Sequence, residues 1–433
     1  MREKCVILIG MIDSQPKAWY KLDNAAKIFP PTSSKSDTKV FRFSCELNDA
    51  IDPATLQSAL DAAIDDFAGF RCTLKRGMFW YYLEQSDIMP RVHEEDTPPC
   101  SMFYLERKGL LFEVTWYGKR INVEIYHALT DGTGAVQFIK TIVAHYLKIT
   151  HPETQFDVGE IDYDASDTQK MNDSFNKYYG NEPKHVKRTK MPTAHKLRGA
   201  KEPEWRFNII EGTLSVSNFL REAHNLDATM TTLVTALLMQ AIFGEMSVRE
   251  RKRPVIITVP VNLRNYFDSK SNRNFFGMMY IKHDFNRDGT TLTDIIASVK
   301  ACFAEQLNPD YVRHRMNKML AFEHNPFIRI VPLSLKNIVM KSVYHMSVRM
   351  VTAQLSNIGK ITMPSEVKPL INKFSLFTPT ERAQVCICSY EDTLTITFTS
   401  PFVSKDVQCR FFRGLADMGL AVEITANDLS KQK

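Results

Sequence analysis

Residues Glu124 to Leu147 read EIYHALTDGTGAVQFIKTIVAHYL, and the organisation of the chain turns on them. The run NVEIYH that delivers them alternates as a strand does, with Val123 and Ile125 facing one layer and Tyr126 on the opposite side from His127. From Ala135 onward, Val136, Ile139, Ile142, Val143 and Tyr146 recur near helical spacing. His127 therefore stands at a strand end, and Asp131-Gly132 lie in the turn that enters the helix. Gly132 and Gly134 remove side chains where a backbone must turn tightly or a ligand must come close. An imidazole at a layer edge suits a general base, because its pKa lies near working pH. Asp131 is read as holding the turn, through backbone N–H groups or a buried cation. A lone strand histidine is more often a satisfied structural residue, so this stretch needs a second segment before chemistry is assigned.

Working outward, KVFRFSCEL (39–47) alternates as a strand, and Pro53 opens the helix PATLQSALDAAIDDF at a position where proline is favourable. FRCTLKRGMFWYYLE reads as a hairpin turning at Lys75-Arg76-Gly77, and LLFEVTWYGKRINVEIYHA as another turning at Gly118-Lys119. Apolar periodicity fades over about 153–206 and Lys and Arg accumulate. That stretch is read as a linker, either a solvated crossover or a basic rim for a phosphorylated ligand. Beyond it the same grammar restarts. FNIIEGTLSVSNFLREAHNL is strand then helix, LVTALLMQAIFG a buried helix, PVIITVPVNL a strand and TLTDIIASVKACFAEQL an amphipathic helix. Residues 313–349 are basic and aliphatic, with Glu323 the only acid, and VTAQLSNIGKI, AQVCICSY and TLTITFTS read as strands before a last helix.

Size and composition bound the possibilities. A chain of 433 residues is long for one domain and suggests two or three. With 44% hydrophobic and 24% charged residues it has the composition of a globular protein, and a net charge of +6 does not point to nucleic acid. Eight scattered cysteines fit a reducing compartment, and Cys386 and Cys388, facing the same way on one strand, are read as core residues and not as metal ligands. The apolar run in MREKCVILIG stops at Asp13 without a cleavage pattern and is read as a strand or N-terminal extension. No run is long enough to span a bilayer, and a cytoplasmic location is expected.

The second segment is ITVPVNLRNYFDSKSNRNFFGMM (257–279). A strand broken by Pro260 ends at Arg264, a natural bidentate partner for a carboxylate from the other half, and Asn274-Phe275-Phe276-Gly277 follow. Taken together, HALTDG (127–132), VPVNLR (259–264) and NFFG (274–277) resemble the chloramphenicol acetyltransferase-like superfamily. That group includes alcohol acetyltransferases, plant BAHD acyltransferases and peptide-synthetase condensation domains. The resemblance covers most of the chain. Tyr126 stands where condensation domains carry a first histidine, and the plant D-F-G-W-G segment is absent, so the microbial alcohol acetyltransferase-like group is nearest.

The resemblance implies an α/β fold of two like domains, each a mixed sheet packed with helices, with a tunnel between them. The domains would span 1–155 and 205–433, joined by a linker at 156–204, with part of 355–400 crossing back to the first. It implies His127 as base, Asp131 paired with Arg264, Gly132 leaving room at the tunnel wall, and Ser356 or Asn357 steadying an oxyanion. Tyr126 and Gly277 are further substrate-binding candidates. The activity implied is acyl transfer from acyl-CoA as co-substrate to an alcohol or amine, with no bound cofactor and no metal. The alternatives are a stand-alone condensation-type enzyme fed by an acyl carrier protein, and a binding protein of the same fold. No G-x-S-x-G elbow, phosphate-binding loop, dinucleotide fingerprint or H-E-x-x-H site competes with these readings. A monomer is expected, with small-molecule partners and neither nucleic acid nor a membrane span.

Overall fold

The computed structural model describes residues 17–101, 108–160, 167–180, 192–203 and 206–429. The N-terminal MREKCVILIG run and the Lys and Arg at 184–190 lie outside these. The first half begins with β1 (Trp19–Lys21), α1 (Phe29–Thr32), β2 (Val40–Leu47) and α2 (Pro53–Asp66). Next come the hairpin β3 (Cys72–Arg76) and β4 (Tyr81–Gln85), then β5 (Val92–Glu94). A second hairpin, β6 (Phe112–Tyr117) and β7 (Arg120–Tyr126), leads to α3 (Gly132–Thr150). Asp52 caps α2 by accepting from the Thr55 N–H. Gly118 turns the β6–β7 hairpin at a φ of 57°, a left-handed conformation that glycine adopts without strain.

Two short helices, α4 (Asp167–Lys170) and α5 (Ser174–Lys177), lie between the halves. The second half runs β8 (Asn208–Ser215), α6 (Val216–Asn225), α7 (Met230–Glu245), β9 (Val255–Asn262) and β10 (Phe276–His283). Four consecutive helices follow: α8 (Leu292–Gln306), α9 (Pro309–His324), α10 (Pro326–Arg329) and α11 (Leu333–Val348). The chain ends with β11 (Ala353–Ile361), β12 (Ile371–Phe377), β13 (Gln384–Tyr390), β14 (Thr393–Ser400), α12 (Asp406–Asp417) and β15 (Glu423–Ala426). Sequence patterning did not separate β5, β10, β12 and β15 as strands. Of these, β5 and β15 have only three and four residues, too few for a periodicity to register.

Among the described residues three sheets result, ordered β1-β4-β3, β12-β2-β7-β6-β5 and β10-β9-β11-β13-β14-β8-β15. The two larger ones are mixed: β5 lies parallel to β6, and β11 lies parallel to both β9 and β13. Mixed sheets packed with helices in two halves are the α/β architecture that the motifs imply. β12 comes from the second half yet pairs antiparallel with β2, Phe374 opposite Cys45. β13 shows why. Its Val385 and Ile387 join the core of the second half, while Cys386, Cys388 and Tyr390 join the core of the first. With side chains alternating across the pleat, one strand is a floor for both layers. Cys386 and Cys388 are core residues, and burial pushes the Cys386 thiol up to about 12.

Phe374 is fully buried on the crossing strand and packs edge-on against Tyr390, ring centroids 5.3 Å apart. Phe374→Ala should cost about 3–5 kcal/mol of unfolding free energy, read by urea denaturation. Substitution of exposed Trp19 by Ala in the same assay should change little.

Candidate active site

His127 follows the last residue of β7, its N–H donating to the Lys39 carbonyl at 2.9 Å. The imidazole is half-buried and ringed by aromatics. Phe29 stacks on it at 4.4 Å, Phe41 meets it edge-on at 4.9 Å, and Phe276 lies tilted at 5.6 Å. Its Nδ1 is 3.0 Å from Asn274 Oδ1. The amide orientation follows from its other end, where Nδ2 donates to the His127 carbonyl at 3.0 Å and to Asp23 Oδ2 at 3.2 Å. Both those partners accept, so Oδ1 must face Nδ1, and Nδ1 must carry the proton. Nε2 is left with its lone pair. Desolvation by burial holds the His127 pKa below the ordinary imidazole value, outweighing Asp131 and the hydrogen bonds, which favour the charged form.

Behind this ring stands Asp23, wholly buried, its carboxyl pushed up to about 6 by burial against the lowering effect of Arg273. Asp23 takes the Ala26 N–H at 2.7 Å and anchors Asn274. Asn274 was quoted in the sequence only as the start of the NFFG motif, and nothing local marks an asparagine as a histidine's partner. Its role exists only because β10 brings it beside the end of β7.

Asp131 caps α3. Its Oδ1 accepts from the Thr133 and Gly134 N–H groups at 3.0 and 3.3 Å. Its Oδ2 accepts from Arg264 Nη1 at 2.8 Å and the Phe275 N–H at 2.9 Å. Arg264 also reaches the carbonyls of Ser271, at 2.8 Å from Nη2, and Arg273, at 2.6 Å. Backbone N–H groups and a buried cation thus both serve the carboxylate, and none of its oxygens faces the imidazole through Nδ1. Gly134 has a separate reason. A Cβ there would lie 2.5 Å from the Asn272 carbonyl oxygen, so glycine permits a close approach of the protein's own backbone.

Two cavities meet at His127. The first, of about 480 Å³, is lined by the start of α3 (Gly132, Thr133, Val136), by Phe41 and by Asn357 and Lys360 of β11. The second, of about 350 Å³, runs beneath α11 and is lined by Phe29, Lys39, Met278, Met319 and Tyr344. His127, Pro260, Phe276, Ser356 and Thr378 line both. Ser356 is therefore at the junction. Asn357 lines only the first cavity, and its amide is engaged with the Thr231 hydroxyl at 2.9 Å and the Gly359 N–H at 2.8 Å. Gly132 lines the first cavity, and a Cβ there would meet Ile358.

Two sequence candidates are corrected. Tyr126 lies wholly in the core of the first half, its hydroxyl 3.0 Å from that of Ser33, and lines neither cavity. Alternation in β7 turns it away from the side on which His127 emerges. Gly277 sits on β10 where a Cβ would meet Val261 and Leu263, and it lines a third, small cavity that His127 does not line. Thr378 was missed, because it lies just past β12 and its place depends on that strand's crossing.

No family model and no curated protein matches the sequence. Solved structures do match over nearly the whole chain. Polyketide synthase associated protein 5 from Mycobacterium tuberculosis superposes with a TM-score of 0.62 at 13% identity, over 92% of this chain and 98% of that one. The TRI3 trichothecene 15-O-acetyltransferase from Fusarium sporotrichioides gives 0.60 at 10%, covering 93% and 94%. The starter condensation domain of rhizomide synthetase RzmA gives 0.51 at 12%, covering 93% and 96%. This chain has their fold. At such identities the likeness is one of architecture, and the chemistry has to be argued from the site.

Asp131→Asn should cost about 3 kcal/mol in urea denaturation, because it strands the Arg264 guanidinium in a nearly buried place. The Arg264→Met, Asp131→Asn double variant should lose less than the two single losses added together.

Proposed function

We propose that this protein is an acyltransferase that moves an acyl group from a thioester, acyl-CoA, to the hydroxyl or amine of a small acceptor. The observation that carries this reading is the unprotonated Nε2 of His127 at the junction of two cavities lined by both halves of the chain. One cavity takes the acceptor and the other the thioester, so the reactants meet at the ring and no covalent enzyme intermediate is needed.

Nε2 removes the acceptor's proton as its oxygen or nitrogen attacks the thioester carbonyl. The tetrahedral oxyanion lies near the hydroxyls of Ser356 and Thr378, the two hydroxyl side chains common to both cavities. Collapse expels the CoA thiolate, and the imidazolium returns its proton to that sulfur. Asn274 holds the tautomer throughout. Asp131 and Arg264 stay outside the proton path and keep α3 and the loop before β10 in register with the histidine.

Thiol release from a panel of acyl-CoAs with alcohols and amines tests the reading. His127→Ala should lose about 10²–10⁴-fold in rate. Release by that variant equal to the wild type would refute the assignment of the base. The pH profile gives an independent check. The base must be neutral, and burial lowers its pKa, so activity should rise with pH through a value below the ordinary ~6.5 and be flat at neutral pH. An acid limb centred above that value would contradict a desolvated imidazole.

A further inference from the structure

α11 is folded inside out. Leu335, Ile338, Val339, Val343 and Met346 recur at three- and four-residue spacing, the stripe a helix ordinarily turns to the core, and all are exposed, Ile338 to 62%. The face turned to the protein is mixed, with Leu333 and Val348 beside several polar groups. Lys336, only 5% exposed, lies over the Trp80 ring and donates to the Phe79 and Arg329 carbonyls at 3.1 Å each. Asn337 bonds the Tyr81 hydroxyl at 3.1 Å, and the Tyr344 hydroxyl takes a 2.6 Å hydrogen bond from Lys39. These inward contacts fix the helix's rotation, so the outward stripe is held in place. Phe322, Phe327 and Ile330 of the neighbouring turns extend it, Phe327 to 78% exposed. Nine of the twenty large apolar side chains exposed among the described residues lie within 319–346.

Charge narrows what can cover this face. Residues 309–349 carry seven Lys and Arg against only Asp310 and Glu323, and Glu323 is paired with Lys27. Lys318, Arg329, Lys341 and Arg349 are exposed around the apolar stripe. A second copy of the chain would set these cations against each other. An anionic lipid surface accepts both features, since apolar side chains enter the acyl boundary while Lys and Arg reach the headgroups. No single helix among the described residues is long and apolar enough to cross a bilayer.

We propose that α9–α11 dock this protein on an anionic lipid surface. The cavity beneath α11 bears on why. Met319 belongs both to the exposed face and to the lining of that cavity, which His127 also lines. An amphiphile leaving the bilayer beside Met319 would carry its reactive head toward the imidazole and leave its chain against Val348, Val351 and Leu355. This second part rests on the acyltransferase reading and assigns the substrate of that cavity to amphiphiles with an aliphatic chain. The docking itself does not depend on catalysis.

The test uses the full chain and phosphatidylcholine vesicles with and without phosphatidylglycerol. Cosedimentation should require the anionic lipid and fall steeply as salt is raised. Ile338→Asp with Val343→Asp should weaken it by about tenfold or more, and Lys341→Glu by a smaller factor. Both variants should keep the thermal midpoint and the thiol release of the wild type with short, water-soluble acceptors. With a long-chain acceptor presented in the vesicles, the double variant should lose turnover. Absence of vesicle binding by the wild type, or equal binding by the double variant, overturns the docking. So does a concentration-dependent dimer in sedimentation velocity that the same two substitutions abolish, because the face would then be an interface between copies. So does an acidic carrier protein that binds the wild type without vesicles at stoichiometric concentration and fails to bind the double variant, because the face would then be a protein-docking surface. Vesicle binding with no thiol release from any acceptor would leave the docking standing and defeat the acyltransferase reading instead.

Discussion

The Asp131–Arg264 ion pair is the joint on which the site depends. One carboxylate caps the helix that follows the histidine loop, takes the Phe275 N–H and binds the guanidinium that gathers the 271–273 carbonyls. A charge pair this nearly buried is stable only if every donor and acceptor finds a partner, and here they do. Geometry at one end is thereby transmitted to the other. If Arg264 shifted, the loop carrying Asn274 would shift with it, and the His127 tautomer would lose its support.

A second constraint comes from the strand exchange. β12 leaves the second half to extend the first sheet, and β13 carries one core on each face. The two halves therefore share a hydrophobic floor while remaining separate above it, and the cavities occupy the space that is left. The imidazole lies where they meet, under aromatic rings that lower its pKa without closing off both approaches. Basicity is moderated by desolvation, and direction is imposed by Asn274. These are separable physical effects on one side chain. They leave the Nε2 lone pair unengaged, while both oxygens of Asp131 are held by backbone N–H groups and Arg264.

Much of this was legible from residue order. Strand alternation before His127, helical spacing after Ala135 and an arginine directly past a strand are local patterns, and local patterns reflect backbone geometry. Asp131 as the holder of a turn follows from what a carboxylate does at a helix start. Tyr126 and Gly277 were misplaced as substrate contacts for one reason. Membership of a motif says that a residue is near a site in the chain, but the face it presents depends on which side of its own strand is covered. β7 is covered on both sides, and the tyrosine turns into the core.

Sequence alone determined the elements that carry the histidine, the aspartate and the arginine, because each is specified by periodicity or by a side chain's affinity for a chain terminus. It also determined the basic, aliphatic character of residues 313–349, which is composition and needs no fold. Tertiary structure decided which nitrogen of His127 is free, that Ser356 and Thr378 meet at both cavities, and that α11 turns its apolar stripe outward. Those outcomes depend on contacts between segments far apart in the chain. No periodicity encodes them, since the energy that selects one face of a helix resides in the partner it packs against.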